Sequence, residues 1–405
     1  MDRLLRIVGW RRILVTALCL LVWRLVYQTP IIGLDLNRLG AMIDAQTRRG
    51  SLVAALGSSE PYGQYSIGSL GVTPFIDAIV VMSIAAAISI RVREMRRSPK
   101  GIHRYRLWTR AIAIVFAAGI ATGRVGVIER AGLLPEAIPA FSWLLIAAEI
   151  TAGTAVLIAV ADAVDEHGLG FGFGPIWIYA LGPVVFETHR IAAWLATAPS
   201  VEALYLPLAT WTVASIAIAA LTVAVAGAYR LVASKADEEE KGAPRTYSLA
   251  FLTSGVIRPA VLAFALLGLP VSIAQMSNSD LGNLILVSWL PAGPSPWWSA
   301  AYLATEAIFI VLMTYFVVAV DLQVSLPASV VPHVWRLTLL TGLFLVLTVV
   351  LIPETERLGS SLAGRAVPMS GFDAVLVVAL VFTAVARLVP IRRPRAISVP
   401  VPAVP

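Results

Sequence analysis

Ten apolar runs, separated by short polar connections, order this chain from end to end. They fall at about 12–29, 71–90, 107–123, 141–161, 173–192, 205–228, 250–274, 299–320, 336–352 and 371–389. Runs of this length match a membrane crossing, because a bilayer core is about 30 Å thick and a helical residue rises about 1.5 Å. Backbone polar groups inside lipid must be satisfied within their own segment, so the runs predict helices rather than open sheet.

The polar connections are unequal, and their inequality predicts an orientation. Arg3, Arg6, Arg11 and Arg12 lead into the first run and put the N-terminus in the cytoplasm. The first run has the look of a signal peptide, but no convincing small-residue cleavage site follows it. The connection after the second run is the most basic in the chain, with Arg91, Arg93, Arg96, Arg97, Lys100 and Arg106, and belongs on the cytoplasmic side. The connections at 162–172, 229–247 and 321–335 share that side. Ten spans return Arg387, Arg392, Arg393 and Arg395 to it, so both ends agree. Five runs, a longer connection at 194–204 and five more runs divide the chain into 1–194 and 205–390, with a Pro- and Val-rich tail at 391–405 expected to be disordered.

Composition sharpens this picture. Of 405 residues, 58% are hydrophobic and 14% charged, where a soluble domain carries about 25% charged residues. The net charge of +7 sits at segment ends, as orientation requires, and not in a patch suited to nucleic acid. The single cysteine, Cys19, excludes an internal disulfide and a cysteine-based metal site. His103, His167, His189 and His333 are scattered, and no H-E-x-x-H, phosphate-loop or G-x-S-x-G pattern occurs. Nothing in the chain supports catalysis of its own or a cofactor.

The junction between the fourth and fifth runs is the most specific feature. It reads Ile150-Thr151-Ala152-Gly153-Thr154, then Asp162-Ala163-Val164-Asp165-Glu166-His167-Gly168-Leu169-Gly170-Phe171-Gly172. This resembles the L-T-A-G-T and G-E-Q-I-T-E-R-G-I-G-N-G of the SecY family, the pore subunit of the protein-conducting channel. Similar matches run through most of the chain. Arg12-Ile13-Leu14, Trp23-Arg24-Leu25 and Pro30-Ile31-Ile32-Gly33-Leu34-Asp35 resemble the family's first helix. Ser66-Ile67-Gly68-Ser69-Leu70-Gly71-Val72-Thr73-Pro74-Phe75-Ile76 resembles the opening of the second. Trp108-Thr109-Arg110, Ser254-Gly255-Val256-Ile257-Arg258-Pro259 and Arg336-Leu337-Thr338-Leu339 resemble motifs of the third, seventh and ninth. The resemblance implies an all-α, polytopic membrane protein whose ten helices form two pseudo-symmetric halves. Such halves place a pathway between them, and the first run is then a retained helix in a plasma-membrane protein.

The departures from the family are specific too. Its long basic loops after the sixth and eighth helices touch the ribosome or the motor ATPase. Here the first of them is short and carries Asp237, Glu238, Glu239 and Glu240, and the second lacks the family's G-x-x-P-G-x-R-P-G stretch. Phe171 replaces the Asn of G-N-G, and Leu252 replaces a polar residue. The body of a channel is kept while its docking surface is stripped, which argues against ribosome engagement and leaves the motor open.

Carried over by position, the family's ring of bulky apolar side chains falls on Ile76 and Val80, Phe173 and Trp177, Ala260 or Val261, and Leu376. Such a constriction blocks ions by dewetting yet deforms around a passing chain. Ile76/Val80 and Phe173/Trp177 are i,i+4 pairs, each sharing a helix face. Ordinary helix packing is the competing reading. The stretch 52–63, with Leu52 and Leu56, corresponds to the re-entrant plug, or else is a plain extracytoplasmic loop. Asp77, Glu149, Arg258, Glu306 and Asp373 lie inside spans, at about 2.5–3.5 kcal/mol each at the bilayer centre. They must therefore pair or face the pathway. Asp77, Arg258 and Asp373 adjoin ring positions and are candidate gate charges, or sit unpaired in a water-filled funnel. His167 takes the place of a family Arg as a surface residue.

Three functions remain open at this point. One is a channel subunit that moves unfolded polypeptides across or sideways into the bilayer, with a small SecE-like clamp subunit and, in a larger assembly, a SecG-like one. Another is a non-conducting scaffold or an accessory translocon for dedicated clients. A third, a small-solute transporter, would account for the buried charges but not for the junction motif.

Overall fold

The computed structural model describes residues 2–41, 65–95, 99–134, 140–170 and 296–316, with separate positions at 174–175, 178, 220, 262, 266, 272–273, 276, 339, 341–343 and 346. Six long or well-bounded helices lie within these residues: α1 (Asp2–Gln28), α2 (Thr73–Ile88), α3 (Ile90–Met95), α4 (Pro99–Arg130), α5 (Ala140–His167) and α6 (Pro296–Phe316). Five of them fall on predicted runs. Their ends do not coincide with the run ends, however, because hydropathy reports depth in lipid and not the end of a helix. The connection at 91–106, read as a loop, is largely helical: α3 and the start of α4 occupy it. Arg, Lys and Glu are good helix formers, so α4 continues well beyond the predicted 107–123. α5 likewise extends past 161, to His167. A break at Ser89, with extended φ −105° and ψ 117°, separates α2 from α3.

Among the described residues, Lys100–Arg130 and Ser142–His167 are long and apolar enough to cross a membrane, and Thr73–Ala86 is a shorter apolar helix. The helices differ in how much surface they leave uncovered. On α1, Leu14, Leu18, Leu21 and Leu25 recur at helical spacing and are exposed, while Thr16, Trp23, Val26 and Tyr27 are buried. One stripe of α1 therefore packs on protein and the other suits lipid. By contrast α2 is covered nearly all round: Phe75, Ile76, Asp77, Ala78, Val80, Met82, Ser83 and Ala86 are all buried. A helix buried on every side belongs to the centre of a bundle.

Packing follows from small residues. Ala113, Ala117 and Ala121 of α4 are fully buried at i,i+4 spacing, which lets backbones approach where lipid gives no hydrophobic drive between helices. α4 packs on α2 and α5, α5 on α1, and α6 on α2. One core joins Ile31, Leu34 and Leu70 to Ile120, Val125 and Ile128 of α4 and Ile146 and Ile150 of α5. A second joins Phe75 and Ala78 of α2 to Ala113 and Ile158.

Candidate functional site

The approach to α2 is held from both sides. After α1 the chain passes Pro30, which forms an antiparallel bridge with Ser66. Ile31 N–H donates to the Tyr65 carbonyl at 3.1 Å, and Ile67 N–H donates to the Thr29 carbonyl at 3.0 Å. On the opposite side, Ile67 lies against α5 at Gly153, where any Cβ would overlap the Ile67 carbonyl oxygen. The glycine of the T-A-G-T motif is thus required by the S-I-G-S-L-G motif resting on it. Burial pushes the Tyr65 phenol up, and the Arg124 charge works against that shift.

Glu149 completes this grip. Its carboxylate accepts the Ile32 N–H, at 3.3 and 3.2 Å to its two oxygens. This charge, expected to pair or face the pathway, takes a backbone donor from the segment leaving α1. Just beyond, Asp35 caps a short helical turn by accepting from Asn37 N–H and Arg38 N–H at 3.0 and 3.1 Å. Arg38 also donates to the Gly132 carbonyl at the end of α4, at 3.1 Å. The aspartate that closes the P-I-I-G-L-D motif is therefore a cap.

The glycine-rich junction after α5 ties three segments together. Gly168 and Gly170 N–H groups both donate to the Val164 carbonyl. Leu169 N–H donates to Thr16 Oγ1 of α1 at 3.0 Å. Asp165 Oδ1 accepts from Gly174 N–H at 2.6 Å, at the start of the fifth run. Alongside, Arg110 of α4 pairs with Asp162 of α5 at 2.7 Å, and Arg106 approaches Glu166 at 3.9 Å. The Trp-Thr-Arg motif and the acidic junction are thus two sides of one contact. Matched i,i+4 spacing of Arg106/Arg110 and Asp162/Glu166 on antiparallel helices is the sequence signal for it. Both pairs are partly solvated, so each contributes well under about 1 kcal/mol. His167 is exposed, as expected.

Within α2, Ile76 and Val80 are 4% and 0% exposed, which excludes a lipid-facing position for them. Asp77 between them is 0% exposed. Its Oδ2 accepts a hydrogen bond from Ser272 Oγ at 3.0 Å. Its Oδ1 has no hydrogen-bond partner among the described residues. Ser272, which the sequence did not single out, lies on the seventh run, and α6, on the eighth run, also packs on α2. So α2 meets residues from the chain's second half at two places. Of the other named positions, Leu52, Leu56, Phe173, Trp177, Arg258, Ala260, Val261, Asp373 and Leu376 lie outside the described residues, and Glu306 is on α6. Among the described residues no cluster of His, Cys, Asp and Glu is arranged to hold a metal.

Known proteins resemble this arrangement. Residues 66–329 match the family model for SecY. The protein translocase subunit SecY of Streptomyces griseus is 24% identical over 333 residues, covering 77% of this chain and 74% of its own. That of Thermus thermophilus is 25% identical over 329 residues, covering 77% and 72%. Among solved structures, Sec61 in the canine ribosome-channel complex from the endoplasmic reticulum superposes with a TM-score of 0.56 at 14% identity, covering 93% of this chain and 91% of its own. A SecY structure concerned with how the plug domain stabilises the closed channel gives 0.57 at 13% identity, with the same coverage.

Proposed function

The chain belongs to the SecY family, and on that premise we propose that it is a polypeptide-conducting subunit whose seam opens between α2 and the seventh and eighth runs. It is an all-α, multi-pass membrane protein of the plasma membrane and a subunit of a protein translocation channel. Unfolded segments of client proteins pass between its halves, 1–194 and 205–390, or leave sideways into lipid. The observation that carries this reading is the covered position of α2, held through Ser272 and α6 by the second half of the chain. A central helix gripped by both halves is where a bundle can part without unfolding either half. Ile76 and Val80, buried on this helix, supply the apolar lining of a closed constriction. The chain performs no chemistry itself. The work comes from a motor or from the insertion free energy of the client. A small SecE-like subunit clamps the halves, with both termini in the cytoplasm.

The test is transport by the full-length chain, purified with its small subunits and reconstituted into vesicles. An unfolded client should become protected from added protease. Vesicles that stay sealed and never protect a client would instead support a non-conducting scaffold.

Docking is expected to differ from that of the canine ribosome-channel complex. The connection after the sixth run sets Arg230, Lys235, Lys241 and Arg245 against Asp237, Glu238, Glu239 and Glu240, so its charges balance. The connection at 321–335 contains neither Lys nor Arg. Attraction to an anionic partner needs an uncompensated basic surface and weakens steeply with salt. Co-sedimentation with ribosomes is therefore expected to be absent at about 0.15 M salt, where the screening length is about 8 Å. Robust, salt-sensitive binding that survives neutralising Arg93, Arg96 and Arg97 contradicts this expectation.

A further inference from the structure

Resting on the channel reading above, we propose that Asp77 reads the charge of client segments, admitting those with a Lys or Arg side chain at the seam in preference to those with Asp or Glu. The carboxylate is completely covered, on a helix whose neighbouring residues Ile76, Ala78 and Val80 are buried and apolar. One oxygen is held by a neutral hydroxyl, that of Ser272, at 3.0 Å. The other has no hydrogen-bond partner among the described residues. A buried carboxylate with an unused oxygen is an acceptor site for a charge-assisted bond, roughly twice as strong as a neutral one. A cationic donor such as an ammonium or guanidinium both fills the acceptor and compensates the charge.

Access to this site follows from its place in the fold. The hydrogen bond joins α2 to the seventh run, so parting that seam breaks it and uncovers the carboxylate. Ser272 is 6% exposed and Asp77 0%, so the carboxylate becomes accessible only when this contact parts. A client segment entering between α2 and the seventh run replaces Ser272 as the carboxylate's neighbour. If its side chain there is cationic, it gains a partner that the closed state does not supply. If it is anionic, it meets a like charge in a medium of low dielectric, which is strongly unfavourable.

The probe is an apolar Leu/Ala segment of about 20 residues carrying a single central Lys, Gln or Glu, presented to the full-length chain in its native membrane assembly. The readout is the ratio of inserted Lys segment to inserted Glu segment, with the Gln segment as reference. The wild type should favour Lys over Glu by about tenfold, the factor that about 1.4 kcal/mol represents. Asp77→Asn should bring the ratio near one while the Gln segment still inserts, and Asp77→Glu should retain the preference. Arg258→Gln should leave the preference in place. An unchanged ratio in Asp77→Asn overturns the proposal, as does a Lys preference that is absent from the wild type and appears only in Arg258→Gln, which would assign the carboxylate to an internal pair. Failure of the Gln segment to insert in the wild type is a different result and counts against the channel reading itself.

Discussion

Valine at Gly153 is expected to lower the thermal stability of the purified protein sharply, whereas valine at the adjacent Ala152 is expected to leave it nearly unchanged. The two positions are neighbours on α5 but face opposite surroundings. Ala152 is exposed on a helix suited to lipid, where another apolar side chain meets only acyl chains. Gly153 is buried, and any Cβ there would overlap the Ile67 carbonyl oxygen. That atom is backbone, so no rotamer change relieves the overlap. Ile67 is itself fixed, because its N–H donates to Thr29 at 3.0 Å in the bridge that follows α1. Forcing α5 away would also pull Glu149 from the Ile32 N–H, a contact now at 3.2 Å. Overpacking in a rigid site costs about 1–3 kcal/mol or more, a large share of the about 5–15 kcal/mol that holds a typical domain. Fluorescence-monitored melting of Gly153→Val, Ala152→Val and wild type in one detergent is the measurement. Equal melting temperatures for the two variants would show that the segment 65–71 does not bear on α5 at Gly153.

That pair also shows what a single sequence can and cannot reveal. The T-A-G-T and S-I-G-S-L-G motifs were legible as strings, and they pointed to the right family. Their meaning as one contact was not, because nothing in linear spacing says that Ile67 rests on Gly153. The positions of the five runs that carry described helices were legible from composition, since burial in lipid is a property of composition. The helix ends were not, because α4 and α5 continue into water as charged helices, joined by Arg110 and Asp162 at 2.7 Å. Insertion cost alone marks Asp77 and Glu149 as charges inside spans. Their partners, a seryl hydroxyl and a backbone N–H, leave no signal in linear spacing. A search for opposite charges passes over neutral donors, although these satisfy a carboxylate as well.

Serine at Ile76 and Val80 together is expected to raise ion leak through the reconstituted channel, without client, by a wide margin over wild type. The two side chains sit one helical turn apart on α2 and are 4% and 0% exposed, so they share one buried face. The face that packs on α4 and α5 is a different one, formed by Phe75 and Ala78. The 76/80 face is thus distinct from the one that packs in the Phe75 cluster. A narrow apolar lining excludes ions because water leaves it, and two hydroxyls restore both volume and hydrogen-bonding groups for water. Truncating two buried apolar side chains also destabilises, at about 25 cal/mol per Å² of lost apolar burial, so leak alone would not separate a wetted constriction from a loosened bundle. Alanine at the same two positions removes more volume but adds no polar group. If wetting is the cause, the serine variant leaks more than the alanine variant in planar-bilayer conductance. Equal leak from both, or no leak from either, would place Ile76 and Val80 in ordinary helix packing and take the constriction off α2.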